Sequence, residues 1–164
     1  VDEFKQANKL PLVVVLDEVR SLHNIGSVFR TSDAFLVNRI YLCGITATPP
    51  ARDIHKTALG AELSVEWSYE ADAVEAVRTL NEAGYATYAV EQVENSIPLD
   101  RFVEKGCRYA LVFGNEVDGV QQQVVDACHS SIEIPQLGTK HSINVSVAGG
   151  VVLWDLFCQF LANR

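Results

Sequence analysis

Short apolar runs alternate with longer stretches of helical periodicity along this chain. The run Leu12-Val13-Val14-Val15-Leu16 is apolar at every position, which predicts a strand covered on both faces. Similar runs at 39–42, 64–67, 85–90, 109–113 and 131–134 predict five further strands. Between them, helical spacing over 25–35, 71–83 and 121–128 predicts helices. Strands alternating with helices imply βαβ units, so the expected fold class is α/β, with a mainly parallel sheet flanked by helices. Residues 1–11 form a lead segment and 12–164 a single domain.

The last segment, 144–161, is apolar on nearly every side, with Val145, Val147, Val151, Val152, Leu153, Trp154, Leu156, Phe157 and Phe160. A terminal helix on a small domain hides only one stripe, so a second apolar face is expected to meet another copy of the chain in a homodimer. Gly149-Gly150 inside it suits close approach to another helix.

Composition narrows the class. With 48% hydrophobic and 21% charged residues, the chain has the balance of a globular domain able to bury a core. No apolar run approaches the roughly 18 residues of a membrane span. The polar start VDEFKQANKL is not a signal peptide. The absence of any Met leads us to expect further sequence before Val1. Cys43, Cys107, Cys128 and Cys158 form no CxxC pair and sit beside apolar residues, which predicts buried free thiols in a reducing cytoplasm.

The net charge of −8 is unevenly spread: residues 1–60 sum to +1 and residues 61–164 to −9. A polyanion would therefore have to meet a local basic surface built largely from the first sixty residues.

Familiar nucleotide signatures are missing. After Leu16 comes Asp17-Glu18-Val19-Arg20, with neither GxGxxG nor a P-loop, and no GxSxG elbow occurs. The histidines at 23, 55, 129 and 141 show no metal-ligand spacing, so no metal is expected. Three other constellations stand out. In 21–31, Asn24 is positioned to cap the following helix, and Arg30, six residues on, to share a face with it and hold phosphate. In 111–119, a buried strand runs into Gly114, where backbone approaches a ligand closely, and then into Glu116; a simple turn explains Gly-Asn-Glu equally well. In 132–148, a strand ends at Pro135, and Ser142 or Asn144 caps the last helix, leaving N–H groups for an anion.

Taken in order, these stretches read HNIGSVFRTSDAF, LVFGNEVDGV and IEIPQLGTKHSINVSVA, with KTALGAE between the first and second. In this the chain resembles the SpoU (TrmH-like) branch of the SPOUT RNA methyltransferases, from Leu12 almost to its end. The resemblance implies a C-terminal trefoil knot that binds S-adenosylmethionine, a homodimer, and methylation of a ribose 2′-hydroxyl in tRNA or rRNA. It implies Arg30 as the catalytic residue with Asn24 as its partner. Glu116, Ser142 and Asn144 would orient the reacting groups. Backbone at Val90, Gly114, Ile134, Leu137 and Ser142, with Asn144 beside it, would hold the cofactor. Phosphate contacts would come from Arg20, Arg30, Arg52, Lys56 and Lys140.

Methyl transfer from a sulfonium is an in-line displacement that needs no metal. Its difficulty is the weakly acidic hydroxyl, which must lose a proton during attack. Arg30 fits either as a perturbed base or as a guanidinium stabilising the developing alkoxide. Two other readings stay open from sequence: a knotted RNA- or protein-binding module without catalysis, and a base-directed SPOUT methyltransferase.

Overall fold

The computed structural model describes residues 1–140 and 142–163. His141, one of the histidines weighed for metal spacing, lies outside the described residues. So does Arg164. Apolar runs become strands wherever two helical layers can cover them. The strands are β1 (Leu12–Asp17), β2 (Arg39–Cys43), β3 (Trp67–Glu70), β4 (Tyr85–Val90), β5 (Ile97–Pro98), β6 (Arg108–Phe113) and β7 (Ser130–Glu133). They form one sheet in the order β3-β2-β1-β6-β4-β7-β5, and every pairing is parallel.

The helices are α1 (Asp2–Gln6), α2 (Leu22–Ala34), α3 (Arg52–Ala58), α4 (Ala61–Ser64), α5 (Ala73–Glu82), α6 (Gln122–Ala127) and α7 (Val145–Ala162). Every residue of β1 is buried, and alternate side chains serve different layers. Leu12, Val14 and Leu16 join Ile25 and Phe29 of α2, Ile54 of α3 and Leu153 of α7. Val13 and Val15 join Ala76, Val77 and Leu80 of α5 and Val124 of α6. Each buried Val, Leu, Ile or Phe among them contributes about 1.5–3 kcal/mol relative to exposure. The strand therefore holds both layers to one sheet.

Three expectations need correction. The run 64–67 is not a strand: Ser64 ends α4, its hydroxyl donating to the Ala61 carbonyl, and the strand begins at Trp67. β3 lies at the sheet edge and is only partly covered, so its residues carry no continuous apolar run. The thiols are not uniformly buried, since Cys107 is exposed and only Cys43 is fully enclosed. Burial, reinforced by the nearby carboxylates of Asp17 and Glu70, pushes the Cys43 thiol up to about 12.

The third correction concerns α7, whose 18 residues reach a mean hydropathy of 1.7 and suffice by length and composition to cross a membrane. One face of α7, with Val145, Ala148, Val152, Leu153 and Leu156, is instead packed into the protein core. The opposite face leaves Val147, Val151 and Trp154 exposed. Gly149 faces Val28 of α2 at ordinary contact distance, whereas Gly150 faces open space.

Residues 1–11 are not detached from the domain. Phe4 packs on the core, Leu10 is buried, and the Leu10 N–H donates to the Leu36 carbonyl at 2.8 Å.

Gly26 sets the approach of α2 to α3. A Cβ there would collide with Thr57 Oγ1 and with the Ile54 carbonyl oxygen. Thr57 in turn donates to the His23 carbonyl at 2.8 Å, tying the start of α2 to α3. Gly26→Ala is expected to lower stability by about 1–3 kcal/mol through overpacking, although alanine is the better helix former. A reduced urea midpoint at unchanged slope checks this.

Candidate active site

The chain leaving β6 doubles back immediately. Gly114 lies so close to Gly119 and Val120 that a Cβ would strike their backbone atoms. The close approach that Gly114 permits is thus to its own loop. Asn115 and Gly119 exchange two backbone hydrogen bonds of 2.9 Å. The Asn115 carbonyl Oδ1 accepts from the N–H groups of Val117 and Asp118, so Gly-Asn-Glu forms a turn. Its amide Nδ2 donates to the Glu18 carbonyl at 2.7 Å, locking this loop to the one leaving β1.

Further ties hold the same loop. Glu91 Oε2 accepts from the Val120 N–H at 3.0 Å. Asp17, buried at the end of β1, accepts from the backbone N–H and side-chain amide of Gln121. Burial raises the Asp17 pKa despite those hydrogen bonds. Sequence reasoning missed Asn115, Glu91 and Asp17 as organisers. The one available signal was a carboxylate continuing a wholly apolar strand at Asp17.

Glu116 closes the connection to the first motif. Its carboxylate accepts from the backbone N–H of Ser21 at 3.0 Å and of Arg20 at 3.1 Å, and from Asn24 Nδ2 at 3.5 Å. Burial alone would push this carboxyl up, but the N–H groups of Ser21 and Arg20, with the Asn24 amide, outweigh it. They hold Glu116 below its ordinary value of 4.5.

Asn24 does not cap α2, as expected from sequence. Ser21 does, its side chain accepting from the Asn24 N–H at 3.1 Å, and Asn24 is the third helical residue. Nor do Asn24 and Arg30 share a face. Six residues at about 100° each leave them about 120° apart. Asn24 meets Glu116, whereas Arg30 lines a separate hollow with Asp33, Leu59, Gly60 and Ser64.

A hollow opens beyond the carboxyl ends of β4, β6 and β7, where ligands of open parallel sheets bind. Val90, Phe113, Gly114, Ile134, Val145 and Ala148 give it apolar walls. Glu116 and Ser142 also line it, so Val90, Gly114, Glu116, Ile134 and Ser142 of the expected site residues are brought together. Leu137 is fully exposed and outside the lining. Asn144 is outside it too: its Oδ1 accepts from the Ser146 N–H at 2.8 Å and caps α7. Among the described residues no group of His, Cys, Asp and Glu could hold a metal.

The expected phosphate-binding residues divide. Arg20 reaches the rim through its backbone, Lys140 is exposed in the loop after β7, and Arg52 and Lys56 lie on α3. Lys56 pairs with Asp53 at 3.4 Å. Arg52 lines a hollow with Pro49, Pro50, His55, Glu62 and Trp67.

This arrangement spans residues 11–154, which match the model of the SpoU rRNA Methylase family. The chain belongs to that family. This SpoU-family chain is 32% identical to the 23S rRNA (guanosine-2′-O-)-methyltransferase RlmB of Vibrio parahaemolyticus, over all of itself and 66% of that relative. The SpoU-family chain thus spans just under two thirds of that relative's length. Among solved structures, the TrmH/SpoU tRNA modifying enzyme of A. aeolicus superposes with a TM-score of 0.85 at 26% identity. It covers 98% of this chain and 80% of its own. The AdoMet-bound rRNA methyltransferase of Sinorhizobium meliloti superposes with a TM-score of 0.82 at 26% identity, over 92% of this chain and 56% of its own.

The lowered Glu116 pKa has a defined consequence. Its ionised form contributes stability that is fully present above the unfolded value near 4.5 and is lost as pH falls through the lower folded value. The stability gap between the wild type and Glu116→Gln should therefore stay constant from neutral pH to about pH 5.5 and close below about pH 4.5. Urea titrations across that range measure it.

Proposed function

We propose that this chain transfers a methyl group from S-adenosylmethionine to a ribose 2′-hydroxyl of tRNA or rRNA. The observation that carries the reading is the hollow beyond β4, β6 and β7, walled by the second and third motifs and bolted through Glu116 to the first. Its chemistry fits the cofactor: Val90, Phe113, Ile134, Val145 and Ala148 offer an apolar slot for an adenine ring, and no cationic side chain among the described lining residues opposes a sulfonium. The AdoMet-bound relative and the guanosine-2′-O-methyltransferase relative support it. When bound, the cofactor supplies the electrophilic methyl group.

The residues divide the work. Val90, Gly114, Ile134 and Ser142 hold the cofactor, in a C-terminal third that is knotted; Leu137, assigned with them from the resemblance, lies outside the hollow. Asn24 and Glu116 stand at the rim, where the ribose must arrive. Asn144 acts by fixing the start of α7, and with it the loop that carries Ser142. Arg30 stabilises the developing alkoxide or accepts its proton, and Arg20, Arg52, Lys56 and Lys140 hold phosphates. Holding oxygen and methyl carbon in line contributes as much as about 7–11 kcal/mol. The protein works in the cytoplasm, and residues 12–164 make up the catalytic domain.

Arg30 lines a hollow of its own, so this reading requires it to come from a second copy. The exposed Val147, Val151 and Trp154 on α7 provide the self-complementary face for a homodimer. Two inactive variants test this together. Arg30→Ala removes the guanidinium, and Gly114→Ala drives a Cβ into the Gly119–Val120 backbone. Each should be inactive alone, whereas their co-expressed mixture should recover about a quarter of wild-type turnover, since half the dimers then hold one complete site. Digesting the product RNA should give a 2′-O-methylated nucleoside. Absence of recovery would place Arg30 in its own chain's chemistry or outside it, and a base-methylated nucleoside would overturn the reaction proposed.

A further inference from the structure

The hollow's charge is one-sided. Four carboxylates line it, Glu91, Glu116, Asp118 and Glu133, and among the described residues no Lys, Arg or His joins them. They arrive from different places: Glu91 follows β4, Glu116 and Asp118 lie in the loop after β6, and Glu133 ends β7. Two are fixed in place, Glu91 by the Val120 N–H and Glu116 by the N–H groups of Arg20 and Ser21. The opposing contribution is the start of α7, where Val145 and Ala148 line the hollow and the helix end carries about half a positive charge. An Arg30 delivered from a second copy would add one more. The balance stays negative, and a concave wall of one sign concentrates its field on whatever enters.

We infer that this field makes the site select its ligand by charge, binding the sulfonium donor more tightly than the thioether product. The inference rests on the cofactor reading above. In both molecules the amino-acid ammonium and carboxylate cancel, so S-adenosylmethionine carries a net charge of +1 and S-adenosylhomocysteine none. During transfer, the ribose oxygen forms a bond to the methyl carbon as the carbon–sulfur bond breaks. The pair of that bond stays on sulfur, which becomes neutral, and the hydroxyl proton leaves to a base or solvent. The chemical step thus erases the charge the hollow was holding. The product is left in a site that no longer favours it, so turnover releases it and resists inhibition by it.

Calorimetric titration of the full chain with three probes tests this: S-adenosylmethionine, S-adenosylhomocysteine and sinefungin, whose ammonium replaces the sulfonium charge without a transferable methyl. At 0.1 M salt the two cationic probes should bind about fivefold or more tightly than the neutral one. At about 1 M salt, where charges act over only about 3 Å, the ratio should fall toward one. The variant Glu91→Gln/Asp118→Asn/Glu133→Gln should weaken the cationic probes several-fold and leave S-adenosylhomocysteine unchanged, which also reports that the hollow is intact. Equal affinity for all three, or a sinefungin that matches the neutral probe, overturns selection by charge while leaving the cofactor reading standing. Failure of all three to bind the wild type overturns the cofactor reading and this inference with it.

Discussion

A single carboxylate on two backbone N–H groups sets the geometry on which the site depends. Glu116 meets Arg20 and Ser21 across more than ninety residues of sequence, at the point where the chain turns into α2. The free N–H groups of a helix start favour negative charge, so the bond is both a hydrogen bond and an electrostatic contact. Asn115 and Asp17 make parallel connections to Glu18 and Gln121. The loops leaving two adjacent strands, β1 and β6, therefore move as one body. Everything that walls the hollow on that side inherits its position from them.

How much of this was legible depends on what covers each residue. The fully enclosed strand β1 and the strand at 109–113 were read from their apolar runs, because coverage on both faces leaves a clear mark. The edge strands were not: β3 was placed three residues early, and the two-residue β5 escaped notice. In the site, the grouping of Val90, Gly114, Glu116, Ile134 and Ser142 came from the family resemblance, not from the residues' own pattern. The orientation of side chains on α2 did not, because a spacing of six reads as two turns only if the residual 120° is ignored. Asn115 was hidden by its own success as a turn residue, since nothing in Gly-Asn-Glu marks its amide as a bridge to a loop ninety-seven residues earlier.

Charge is sorted spatially in a way the net value of −8 conceals. Arg30, Arg52 and Lys56 belong to α2 and α3, on the layer shared with α7, while the carboxylates cluster at the ends of β4, β6 and β7. Exposed cations and clustered carboxylates thus mark different parts of one molecule.

The strand order carries a consequence for how the molecule comes into being. Leu12 pairs with Tyr109, so the central strand lacks one neighbour until β6 has been made. Pairings this distant in sequence close large loops before they are rewarded, which slows folding and leaves an apolar strand edge open meanwhile. On the ribosome, β1 can zip to β2 early and must then wait with its other edge bare. The crevice at the carboxyl ends of the strands completes only when the last of them docks, so a small molecule that fills it would act as a late brace on a nascent chain.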